Sequence, residues 1–188
     1  MPKICETLEK ELQSGQIPEQ LLEYANSLQE KNLYQTEKAD LLHQKASKLY
    51  QELSEHQPQT YQRCLAHTLK NLALLLSERS TSISQRILAK VLFQKSITLY
   101  KQLSADSPNS NLNLSNLGVC YVVFSQSLLK WQPLAAGLYL KNAFAIFASL
   151  YQQQPTIFGD QYNRILDLLK RCDEAAYYQT KLIQFRSR

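Results

Sequence analysis

Apolar residues recur along this chain with a helical period. Ala46, Leu49, Tyr50 and Leu53 stand at i, i+3, i+4 and i+7, which places them on one stripe of a helix. The stripe belongs to a 15-residue block, Gln44 to Pro58 (QKASKLYQELSEHQP), that returns 50 residues later as Gln94 to Pro108 (QKSITLYKQLSADSP) with seven identical positions. A weaker third copy runs from Lys141 to Pro155, where Ala143, Phe147, Leu150 and Pro155 take the places of Ala46, Tyr50, Leu53 and Pro58. Each proline ends one helix, because the residue before it is driven out of the helical region. It also suits the first turn of the next helix. The unit is therefore helix, short turn, helix.

Extended over the chain, the pattern predicts helices at about 3–14, 18–32, 35–56, 59–79, 82–105, 109–130, 134–153, 156–170 and 172–186. Ser82 and Gln85 have the spacing of a capping box for the fifth of these, and Pro133 falls at the first turn of the seventh. No stretch alternates with period two, so no sheet is expected. The most apolar run, Leu117 to Phe124, is far short of the roughly 20 residues a bilayer span needs, and its all-round apolar character demands cover.

The second helix of each unit carries an asparagine. Asn26, Asn71, Asn116 and Asn163 are spaced 45, 45 and 47 residues apart, and such a period marks a repeat protein. Two positions beyond Asn71 and Asn116 stand Ala73 and Gly118. Small residues there imply close helix packing, since a mid-helix glycine costs about 1 kcal/mol against alanine.

Asn116-Leu117-Gly118-x-x-Tyr121, followed by Ala143, Phe147 and Pro155, resembles the signature of the tetratricopeptide-repeat family. Asn71-Leu72-Ala73, with Tyr100 and Pro108, is a looser copy, and Asn26 and Asn163 head poorer ones. The resemblance covers roughly residues 18–170, with repeats longer than the family's usual 34 residues. It implies one all-α domain over residues 1–188, an α-solenoid of antiparallel helix pairs with about nine helices. The repeats would be 18–58, 59–108, 109–155 and 156–188, the last helix serving as a cap. In the family the first helix of each repeat lines a concave groove, and the residue before the Leu-Gly or Leu-Ala pair faces it. The resemblance therefore implies a partner-binding rail of Asn26, Asn71, Asn116 and Asn163, joined by His67, Lys70, Leu74 and Val119. An asparagine amide both donates and accepts, so such a rail can hold a peptide backbone. Family members that clamp a terminal carboxylate place a cation one turn earlier. Leu22, His67, Leu112 and Gly159 occupy those places here, which leaves the rail without the clamp.

Charge adds a preference about partners. Residues 1–78 carry 8 Lys/Arg against 11 Asp/Glu, residues 79–159 carry 7 against Asp106 alone, and residues 160–188 carry 6 against 4. The basic middle favours an acidic protein or peptide partner. Arg79, Arg86 and Lys90 are its candidate basic patch, with Arg86 and Lys90 one turn apart. The same patch supports a rival reading as an RNA- or polyanion-binding repeat, although the dense basic runs with interleaved aromatics typical of such proteins are missing.

Chemistry is sparse. His43, His56 and His67 form no metal-binding spacing, and four glycines leave no phosphate loop. No cofactor and no enzymatic activity are expected. Cys5, Cys64, Cys120 and Cys172 are scattered without a C-x-x-C pair, which suits free thiols in a reducing cytoplasm. The charged N-terminus has no secretory h-region. The sequence leaves oligomeric state open.

Overall fold

A computed structural model describes residues 36–79, 82–107 and 110–186 of the 188-residue chain. The predicted helices at 3–14 and 18–32, with Asn26, lie outside the described residues. Among the described residues there are six helices and no strand: α1 (Thr36–His56), α2 (Pro58–Arg79), α3 (Ile83–Asp106), α4 (Asn111–Leu128), α5 (Pro133–Gln153) and α6 (Pro155–Arg186). The fold is all-α.

Three prolines act as the sequence requires, while Pro108 lies outside the described residues. Pro58, Pro133 and Pro155 each open a helix, where a missing N–H leaves no intrahelical bond unmade. Single residues, Gln57 and Gln154, join α1 to α2 and α5 to α6. The Gln57 N–H donates to the Leu53 carbonyl at 2.8 Å and that of Gln154 to the Leu150 carbonyl at 2.9 Å, so each helix runs to its last residue before the chain reverses. At α3, Ser82 is the N-cap, its Oγ accepting from the Gln85 N–H at 3.2 Å. Ser110 does the same for α4 by accepting from the Asn113 N–H at 3.3 Å.

One boundary differs from expectation. No break separates 156–170 from 172–186, because α6 runs unbroken from Pro155 to Arg186. No glycine or proline occurs after Gly159 to stop it. The expected terminal cap is thus the continuation of α6.

The described residues fall in two compact units divided between Ser96 and Ile97, inside α3. In the first, α1 packs along α2, with the Tyr50 and Tyr61 rings 6.3 Å apart across the turn. Ala46 and Tyr50 from α1 and Leu65, Ala66, Leu69, Leu72, Ala73 and Leu75 from α2 are buried. Ser96, wholly buried, donates from Oγ to the Ala66 carbonyl at 2.7 Å and pins α3 to α2.

In the second unit α4 packs along α5 and α5 along α6. Phe124 meets Tyr139 at 4.5 Å, Phe144 meets Tyr162 at 5.4 Å, and Tyr151 stacks on Tyr162 at 4.9 Å. A β-carbon built on Gly118 would stand 2.5 Å from Phe147 Cε2. Glycine here lets α4 approach α5 more closely than any other residue would.

The repeat register shows in burial. Tyr50, Tyr100 and Phe147, equivalent in the three sequence copies, are all at most 1% exposed, and so are Ala46, Ser96 and Ala143 four residues before them. Burying each large ring contributes roughly 1.5–3 kcal/mol.

Candidate functional site

The asparagine-bearing helices each present one face outside the core. On α2, Arg63, His67, Lys70 and Leu74 stand at i, i+4, i+7 and i+11 and are half-buried or exposed, while Leu65, Leu69, Leu72 and Ala73 on the opposite side are buried. Asn71 flanks this strip and is 9% exposed, so its amide stands at the edge of the core. His67, Lys70 and Asn71 all have interactions of their own within the protein. At the C-terminal end of the strip, partial burial pushes the Glu78 carboxyl above its usual range.

On α4 the corresponding face carries Leu112, Asn116, Val119 and Val123, again at i, i+4, i+7 and i+11. Leu112 is exposed and the other three are half-buried, whereas Leu117, Cys120, Tyr121 and Phe124 are buried. The strip is neutral, in contrast to the basic strip of α2. On α6, Gly159 and Leu166 are half-buried and Asn163 is exposed.

The three asparagines of the 45-residue column that are described therefore share a register without sharing an environment: Asn71 is buried, Asn116 half-buried and Asn163 exposed. More constant is the position three residues after each asparagine. Leu74, Val119 and Leu166 are all half-buried and apolar. Asn71 belongs to the first compact unit and Asn116 and Asn163 to the second, and each is placed here within its own unit.

Of the basic patch, Arg86 is half-buried and Lys90 exposed, and Arg79 ends α2. Lys95 and Lys101 continue the exposed cations along α3.

Two features were not anticipated from sequence. Asn113, only 2% exposed, donates from Nδ2 to the Leu103 carbonyl at 3.0 Å and ties the start of α4 to the end of α3. Its signal was an amide on the otherwise apolar side of α4, three residues before Asn116. The second is exposed apolar surface. Ile83, Ile87, Leu88 and Val91 on α3, and Trp131, Leu134 and Leu138 around the α4–α5 turn, all face solvent. Helical periodicity marks such residues as core and cannot tell which apolar stripe has a neighbour.

No protein-family model matches the chain, and no curated protein or solved structure matches it.

Proposed function

We propose that the chain is a tetratricopeptide-like helical repeat protein that holds a peptide or helical segment of a partner protein along the open strips of its asparagine-bearing helices. The observation that carries this reading is a coincidence of register and exposure. His67 and Leu112, and Leu74 and Val119, are equivalent positions 45 residues apart, and each lies on the face its helix leaves outside the core. After Asn71, Asn116 and Asn163 the position three residues on is apolar, at Leu74, Val119 and Leu166, whereas Gln29 holds that place after Asn26.

The chemistry of the strips narrows the partner. Leu74, Val119 and Val123 supply apolar contact, and the Asn116 amide can pair with a peptide backbone. Lys70, one turn before Leu74, favours a partner with carboxylates near its apolar anchors. The solenoid arrangement, and a role as adaptor, secretion chaperone or effector in the cytoplasm, belong to the same proposal. The rival, RNA or another polyanion on Arg86, Lys90, Lys95 and Lys101, draws on the exposed lysines of α3.

Affinity capture of the full chain, with and without nuclease, separates the two. Capture should yield a protein partner that survives digestion and is lost with Leu74→Asp/Val119→Asp. Both side chains are half-buried, so folding of the variant is checked by circular dichroism. Partners that vanish on digestion, or that a folded double variant still retains, would overturn the reading.

A further inference from the structure

We propose that the turn between α4 and α5 is a membrane-docking tip, which inserts Trp131, Leu134 and Leu138 into the interface of an anionic lipid bilayer. This surface is separate from the open strips and goes beyond the partner-binding reading.

Three large apolar side chains in this turn and the first two turns of α5 are exposed: Trp131 by 47%, Leu134 by 72% and Leu138 by 62%. The turn is well formed, the Trp131 and Gln132 N–H groups both donating to the Leu128 carbonyl at 2.9 and 2.8 Å. Trp131 is thereby held at the end of the α4–α5 hairpin. Leu134, Leu138, Lys141 and Ala145 follow at i, i+4, i+7 and i+11, and all four are exposed, so they form one outward stripe of α5. The inward stripe, Ala136, Leu140, Ala143, Phe147 and Leu150, is at most 1% exposed.

This division favours an interfacial placement over a spanning one. Among the described residues α5 is long and apolar enough by composition to cross a bilayer. Its inner face, however, is packed on α4 and α6. Only one face is free, which is the requirement of a helix that lies in the interface and does not span it.

Charge selects the occupant. The exposed Lys130 precedes Trp131, and Lys141 lies three residues, about 4.5 Å along the axis, beyond Leu138. Between Asp106 and Asp160 the chain has no acidic residue. The start of α5 lies against α6, where a β-carbon on Gly137 would stand 4.0 Å from that of Cys172. The exposed Asp173 and Glu174 there are offset by the exposed Lys170 and Arg171, so Lys130 and Lys141 set the sign of the charge around the tip. An indole ring settles at headgroup level and leucines reach just below it. Lysine stems can follow the apolar surface while their ammonium groups stay among phosphates. An apolar tip bracketed by two cations, with an aromatic ring at its apex, matches that layered environment better than a protein groove of one polarity.

The chain contains a single tryptophan, so its fluorescence reports on this tip alone. The full chain is mixed with phosphatidylcholine vesicles, or with vesicles of phosphatidylcholine and phosphatidylglycerol at about 3:1. Emission should move to shorter wavelength, and protein should float, with the anionic vesicles; binding should weaken at least ~10-fold with neutral ones or at about 0.5 M salt. Brominated acyl chains should quench Trp131. Leu134→Ser/Leu138→Ser should lose at least ~10-fold in vesicle affinity with an unchanged circular dichroism spectrum, because both side chains are already exposed. An emission unchanged by anionic vesicles, equal binding to neutral ones, or no quenching of the wild-type chain would overturn the proposal. So would a concentration-dependent shift without lipid, which would assign the tip to contact with a second copy.

Discussion

Gly118, Asn113 and Cys172 show how single side chains hold the second unit together. A methyl group at position 118 would meet the buried Phe147 ring at 2.5 and 3.0 Å and Ile146 Cγ2 at 3.3 Å. Gly118→Ala should therefore destabilise by about 1–3 kcal/mol on urea unfolding, despite alanine's better helix propensity. Open space at this position would give the opposite sign. Asn113→Ala removes the bond to the Leu103 carbonyl, which keeps the Ser107 N–H as a second donor. The expected loss is about 1–2 kcal/mol, and Asn113→Asp should cost more because a carboxylate would face a buried carbonyl. For Cys172, burial first and the neighbouring Asp173 second push the thiol above its usual value, against a smaller opposing effect of Arg171. A raised folded pKa contributes stability that is complete below the unfolded thiol's pKa and is lost as pH rises through the folded one. The wild type should thus lose stability from about pH 8.5 upward, and Cys172→Ala should flatten that fall. In the native protein, Cys172 and the buried Cys120 should react with a thiol reagent far more slowly than the half-buried Cys64.

Among the helices, α6 offers the clearest test of the architecture. Arg171 is exposed and sits where sequence spacing suggested a break. In a continuous helix, Arg171→Pro should cost about 3 kcal/mol or more, since it removes a backbone bond and clashes with the preceding turn. At an interhelical turn the same change would be nearly neutral. The other described helix limits were legible because Pro58, Pro133, Pro155 and Ser82 act locally on the backbone. The buried positions Tyr50, Tyr100 and Phe147 were equally legible, since the repeat preserves them in a fixed register. The candidate site was legible only as a register. The asparagine spacing supplies a register that runs through the exposed strip of α4 and beside that of α2, but the exposure of each amide depends on neighbours that the local pattern does not encode. That is why Asn71 is buried and Asn163 exposed at equivalent positions. The exposed Ile83, Ile87 and Val91 were illegible for the same reason: they repeat at helical spacing, and only tertiary structure decides whether anything covers them.

At the scale of the molecule, the described residues combine six helices, an internal repeat in sequence, exposed strips on α2 and α4, and a basic middle third. On the proposed reading, these strips are the surfaces that a partner protein meets. The account stands or falls on whether the strips contact protein. A photo-crosslinking amino acid placed in turn at Leu74, at Val119 and at the exposed control position Gln152 tests this in living cells. The account predicts adducts with the same partner polypeptide from positions 74 and 119, resistant to nuclease, and none from position 152. Adducts that nuclease removes, or an adduct pattern identical at all three positions, would contradict it.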